Sequence, residues 1–202
     1  VLYSLSQEQL SHTMFPLGSM HKSETRTIAE AHGFISAKRK ESQDICFIPD
    51  GDYASFIERY TGKKIASGNF VDMDGNVLGI HRGIIHYTVG QRKGLGLALK
   101  HPMYVQYIDV DNNEVVLGSN EDLFKRELTA HNFNWVSIAC PDAPFRAKAR
   151  IRYKHKEAPV TITPLSETEV KIVFDEPQRA ITKGQSVVVY DGDYVVGGGK
   201  IV

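Results

Sequence analysis

Cysteine is scarce in this chain: Cys46 and Cys140 are the two among 202 residues. Two thiols cannot make a disulfide framework, and a reducing cytoplasm is the natural compartment for such a composition. Metal-ligand spacing is missing too, since His81, His86 and His155 form no zinc pattern with either cysteine. No run approaches 18 consecutive apolar residues, which excludes a membrane-spanning helix and leaves no membrane partner to expect. The start shows no basic region leading into an apolar core, so no secretory signal is visible. Neither sign of charge is in excess, because 24 Lys and Arg balance 24 Asp and Glu. That balance would ordinarily argue against nucleic acid, but a net value hides patterning. There is no internal repeat and no low-complexity run. What remains, 42% hydrophobic and 24% charged, is ordinary for a globular protein of one large or two to three small domains.

Read for period, the chain falls into three parts with boundaries near 62 and 127. Residues 1–62 are mainly helical. Ser6 with Gln9 resembles a capping box opening a short helix, Ser23 can cap a second with Glu24 in its first turn, and Gly33 suits its C′ position. Asp50 or Asp52 can cap a third helix through Tyr60, closed by Gly62; its stripe Tyr53, Phe56, Ile57 and Tyr60 reads as core. Residues 63–127 turn β-rich. A hairpin is expected around Asp74-Gly75, a strand over 84–89, and a second pairing of Met103–Val110 with Glu114–Leu117. Residues 128–202 are all strand with Gly and Pro punctuation, which predicts a compact β-barrel. Its Gly197-Gly198-Gly199 suggests close backbone packing or a bulge, and Cys140 reads as structural.

Three stretches carry candidate chemistry. In the run 41–50, Ile45 to Ile48 is too short for a helix and fits a buried strand stopped by Pro49. Cys46 sits inside it. A thiol there is reactive only if a helix N-terminus or a cation lowers its pKa, and free cysteines are commonly packed and inert. In the second stretch, Gly90-Gln91-Arg92-Lys93-Gly94-Leu95-Gly96, glycines surround two cations. Gln91, Arg92 and Lys93 could hold a phosphate there, although the same run suits a solvated hairpin tip. It is not a P-loop.

The third stretch is the basic stripe of 145–156. Arg146, Lys148, Arg150, Arg152, Lys154 and Lys156 occupy alternate positions, with Phe145, Ala147, Ala149, Ile151 and Tyr153 between them. On one strand the cations would share a face, with neighbours about 6.6 Å apart. Like charges so arranged repel, and a polyanion supplies a reason for them through counterion release. An edge strand guarded against aggregation is the plainer account. Tyr153 or His155 could meet a base where the strand end twists out.

The stretch 42–48, which fits S-x-x-I-C-F-I, together with HYTVGQRKGLGL and DEPQRAITKGQ, resembles the tRNA-specific 2-thiouridylase family over essentially the whole chain. The resemblance implies a multi-domain α+β protein: a helical remnant of an α/β ATP-pyrophosphatase domain, a small central β-rich domain, and a C-terminal β-barrel. It implies that Cys46 carries sulfur as a persulfide, received from a sulfur-donor protein and delivered to C2 of the wobble uridine of tRNA. A second cysteine, absent here, would close a disulfide with Cys46. Arg152, Tyr153 and Gln185 match positions that contact tRNA, and Arg150 and Lys154 lie beside them on the stripe. The family's S-G-G-x-D-S loop, which holds ATP with Mg, is not present. The chain therefore reads as a C-terminal part, with no cofactor expected within it and no activity of its own. The alternative is a stand-alone RNA-binding barrel in which Cys46 is a structural thiol.

Overall fold

The computed structural model describes residues 2–38, 48 and 51–202. The strand expected around Cys46, and Cys46 itself, lie outside the described residues. The chain divides into a unit of residues 8–63 and a second unit of 1–7 with 64–202.

Helix α1 (Gln7–Ser11) begins directly after Ser6. Helix α2 (Lys22–Ala31) is capped by His21, not by Ser23 as its residue type suggested. The reason is Glu24, whose carboxylate accepts the His21 N–H at 2.6 Å and so fixes the helix start two residues earlier. Gly33 closes it in the left-handed region, φ +72°. Helix α3 (Tyr53–Thr61) has Asp52 accepting the Ser55 N–H at 3.1 Å, and Gly62 stops it at φ +67°. Its aromatic stripe is not core. Tyr53 and Tyr60 are 38% and 82% exposed, and Phe56 stacks on Tyr60 with ring centres 5.9 Å apart. Spacing settles which side chains share a face; it does not settle whether anything covers that face. Met14, Phe15, Leu17, Phe34 and Ile35 are also exposed in this unit.

In the second unit, β1 (Gly68–Val71), β2 (Val77–His81), β3 (Tyr104–Asp109) and β4 (Glu114–Gly118) form a sheet in the order β2-β1-β4-β3, with β1 parallel to β4. The β1–β2 hairpin turns where Asp72 Oδ1 accepts the N–H groups of Asp74 and Asn76, both at 2.9 Å. The Asn76 side-chain amide, which donates to Asp72 Oδ2 at 3.0 Å, and then the Asn76 N–H hold the Asp72 carboxyl below its ordinary range. Residues 84–89 are not a strand. A single 3₁₀ turn (Ile84–His86) follows Gly83, because Ile84 and Tyr87, three apart, both turn onto the core of Phe70, Leu95, Val105, Val115 and Leu117. A period of three is incompatible with strand alternation.

His81, fully buried, belongs to this core and is fully bonded. The Gly83 N–H donates to its Nδ1 at 3.0 Å, so Nε2 carries the proton and donates to Asn113 O at 3.1 Å. Asn113 in turn adopts a left-handed backbone, φ +54°, and donates its amide to Ser67 O at 2.9 Å.

The remaining strands are β5 (Phe124–Trp135), β6 (Phe145–Arg150), β7 (Ala158–Ser166), β8 (Glu169–Arg179), β9 (Ser186–Asp191) and β10 (Tyr194–Ile201). They close a barrel in the order β10-β5-β8-β7-β6-β9, antiparallel throughout, so no edge is left unpaired. Ala149, Ile151, Val160, Ile162, Val170, Ile172, Phe174, Val187 and Val189 fill it. The glycine triplet of β10 works by close approach. A Cβ on Gly197 would lie 2.5 Å from Asn134 O, and one on Gly198 would lie 2.6 Å from the Tyr3 ring. The pairing register of β10 shifts on both sides, as a bulge requires.

Gly68 sits in the tightest of these approaches, since a Cβ there would fall 2.0 Å from Asn113 O. Gly68→Ala is expected to destabilise the protein by about 1–3 kcal/mol, read as a lower urea midpoint at unchanged m-value. An unchanged midpoint would mean that the Asn113–His81 junction yields freely.

Candidate nucleic-acid interface

The basic stripe is shorter than its sequence period. Strand β6 ends at Arg150, the chain turns through 151–154, and the His155 N–H donates to Arg152 O at 3.0 Å. Alternation does hold inward as far as the turn, with Ala149 and Ile151 buried and Phe145 and Ala147 packed against the core. Tyr153, which strand alternation would place on the same face as Ala149 and Ile151, is 94% exposed. Arg152, Lys154 and Lys156 thus project from a turn and the segment after it, not from a strand face.

The charges are also less bare than the sequence suggested. Arg146 grips Asp175 through both carboxylate oxygens, at 2.7 and 2.5 Å, and this pairing keeps the Asp175 carboxyl below its ordinary range. Arg150 donates to Glu157 Oε1 at 2.6 Å while its guanidinium lies 5.2 Å from the centre of the Tyr190 ring. Its Nε is buried and has no hydrogen-bond partner among the described residues. Cations here are therefore oriented by carboxylates and an aromatic face.

What the fold adds is convergence. A cavity of about 420 Å³ is lined by Arg150, Arg152, Tyr153, Gln185, Ser186, Tyr190 and others. Gln185 comes from the turn between β8 and β9, where its N–H donates to Thr182 O at 3.2 Å and its carbonyl accepts the Ile201 N–H at 2.9 Å. Its side chain is exposed. Tyr190 could have been found by counting alternate positions on β9. Tyr3 could not: it reaches the rim from the far end of the chain, its hydroxyl 2.8 Å from Ser186 Oγ. His155 stands nearby. Burial, then the charge of Arg152, holds its imidazole below the ordinary value of 6.5.

The glycine-rich loop is a separate place. Gly90, Gly94 and Gly96 all have positive φ. Gln91 is occupied with the loop itself: its Oε1 accepts the Thr88 N–H and its Nε2 donates to Lys93 O, both at 3.0 Å. These two bonds orient the Gln91 amide, which keeps a second N–H and further acceptor capacity. Arg92 and Lys93 remain exposed, and Arg92 borders a cavity of about 510 Å³ with Lys100 and His101. Cys140 is half-buried between β5 and β6, its Sγ 3.8 Å from Ser166 O. No group of three His, Cys, Asp or Glu that could hold a metal occurs among the described residues. No helix among them is long and apolar enough to cross a membrane.

Three consecutive family models match the chain. They are a tRNA methyl transferase HUP domain over residues 1–50, a tRNA methyl transferase PRC-barrel domain over 54–119, and an aminomethyltransferase beta-barrel domain over 125–201. Among its relatives are the tRNA-specific 2-thiouridylases MnmA of Acetivibrio thermocellus, 55% identical, and of Clostridioides difficile, 53% identical, each over 99% of this chain. The enzyme of that name from Desulfitobacterium hafniense is 47% identical over the whole chain. The chain belongs to the tRNA-specific 2-thiouridylase family. It spans about half the length of the curated relatives it matches, 56% and 55% of the first two. Of the three matched segments, the barrel contains Arg150, Arg152, Tyr153, Gln185, Ser186 and Tyr190 of the 420 Å³ cavity.

The depressed imidazole gives a test of the site's electrostatics. The folded state binds fewer protons than the unfolded at this position, so stability rises with pH. The contribution of His155 is fully present above 6.5 and is lost as pH falls from there through the folded value. Urea unfolding of the wild type and His155→Gln between pH 7.5 and 5 should show the wild type losing more stability with acidification. Parallel pH curves would remove Arg152 and burial as influences on this group.

Proposed function

We propose that this chain is the C-terminal part of a tRNA 2-thiouridylase, and that the cavity around Arg150 and Arg152 is where it holds tRNA. The observation that carries the reading is the meeting of Arg150 from the end of β6, Arg152 and Tyr153 from the turn after it, and Gln185 from the turn before β9, around one opening. Guanidinium groups suit phosphate, an exposed tyrosine suits an unstacked base, and an exposed glutamine amide can both donate to and accept from a nucleotide. Lys154 and Lys93 add charge from neighbouring turns, as does Arg92 from its own cavity.

Cys46 carries sulfur in this reading, as a persulfide taken from a sulfur-donor protein. Its outer sulfur bonds to C2 of the wobble uridine once O2 has been adenylated, AMP leaves with that oxygen, and the enzyme's second cysteine releases the sulfur by closing a disulfide with Cys46. The exposed apolar side chains of residues 8–63 support a place for this unit within a larger domain. ATP and its Mg are assigned in this reading to the full-length enzyme, and no step here is assigned to them. These 202 residues alone are expected not to thiolate tRNA.

Two measurements test the proposal. Arg152→Ala should weaken tRNA binding about tenfold and reduce the slope of log affinity against log salt by about 0.7–0.9 for each phosphate it ceases to neutralise. An unchanged slope would place the tRNA elsewhere on the protein. In the full-length enzyme, Cys46→Ser should abolish 2-thiouridine formation while tRNA affinity stays, because serine cannot carry a persulfide. Cys140→Ser should remain active. Turnover by the Cys46 variant near the wild-type rate would end the persulfide assignment.

A further inference from the structure

Arg179 stands at the end of β8 and has partners in four other segments. Its Nε donates to Asn120 Oδ1 at 3.1 Å, ahead of β5. Nη2 donates to Gly90 O at 3.3 Å, at the start of the glycine-rich loop. The guanidinium lies 5.3 Å from the centre of the Tyr104 ring, at the start of β3. The residue's own carbonyl accepts from Arg152 Nη2 at 3.2 Å. The approach to the loop is close, since a Cβ on Gly90 would fall 3.1 Å from Nη1 and 3.2 Å from the Ala180 Cβ.

The loop is held by two more bonds: the Gly90 N–H donates to Val105 O at 2.7 Å, and the Val105 N–H to Gln91 O at 3.0 Å. Ala180, in the left-handed region at φ +57°, donates to Leu123 O at 2.8 Å and so fixes the backbone beside Arg179. Every acceptor of the Arg179 side chain is neutral, and no carboxylate pairs with it among the described residues. An aliphatic side chain could fill the same space without leaving a charge unneutralised. A planar fork is needed only if several directions must be fixed at once.

We propose that Arg179 is a positioning residue that braces the Arg92–Lys93 loop against the Arg152 turn, so that one tRNA backbone meets both cationic surfaces at a set spacing. The inference rests on the tRNA reading above. Two phosphate-binding surfaces on a rigid frame act as a bivalent site, in which the second engages at high effective concentration. Release of the brace lets the loop move and forfeits that advantage while both sets of cations remain.

The test is Arg179→Lys, which keeps the charge and removes the fork, read in three ways against an unmodified tRNA transcript with uridine at the wobble position. Amide exchange at Gly90 and Val105, measured without RNA, should speed about tenfold or more as the loop opens locally. Binding of the transcript should weaken about tenfold. The costs of Arg92→Ala and of Arg152→Ala should each shrink in the Arg179→Lys background, the non-additivity expected of coupled sites. Asn120→Ala, which leaves Arg179 in place and removes one acceptor, should act in the same direction more weakly, and it carries the test should Arg179→Lys fail to fold. Unchanged exchange at Gly90 and Val105, or strictly additive costs, overturns the brace. If Arg92→Ala and Arg152→Ala have no effect on transcript binding in the wild-type background, the tRNA reading itself fails, and this is known before Arg179 is altered.

Discussion

Closure of the barrel is the constraint on which the rest depends. Strand β10 must pair with β5 on one side and β9 on the other, and only then does the sheet have no free edge. Three consecutive glycines make this possible, because the backbone of β5 and the Tyr3 ring approach closer than any side chain allows. Closure fixes the outward face of β9 against that of β6. Tyr190 is thereby placed under Arg150, and Gln185 beside Arg152. The cavity follows from the way the sheet closes, and is not a property of the basic segment alone.

Much of this was legible in the sequence. Asp74-Gly75, Gly62 and Gly33 announce their turns because only a few residue types tolerate those backbone angles. The inward alternation of 145–151 is equally plain, since a strand offers its faces to water and core in turn. The departures share a cause. Periodicity reports what a segment could do in isolation, and tertiary partners decide whether it does so. The basic run continues its period to Lys156, but the turn closed by His155 and Arg152 ends the strand at Arg150. Tyr53 and Tyr60 keep helical spacing, yet among the described residues they stand exposed. Residues 84–89 have strand composition, yet Tyr87 is claimed by Phe70 and His81.

Ion pairing was invisible for a related reason. Asp175 lies far along the chain from Arg146 and is brought to it by the barrel's register, while Glu157 reaches Arg150 across the turn that precedes β7. The stripe is consequently not a row of bare charges. It is a mixture of guanidinium groups anchored on carboxylates and cations exposed at the turn.

Tyr3 has a consequence for how the chain assembles. Its hydroxyl meets Ser186 across 183 residues of sequence, and Asn134 donates to the carbonyls of Tyr3 and Leu5 at 2.7 and 2.9 Å. The chain therefore leaves its barrel-bearing unit after Gln7 and returns at Lys64. Pairings of such separation form only when both ends exist, and loop-closure entropy makes them late arrivals in folding. During synthesis from the N-terminus, the segment around Tyr3 has to wait for the last strand to emerge. Until then the Tyr3 ring has no Gly198 backbone to pack on.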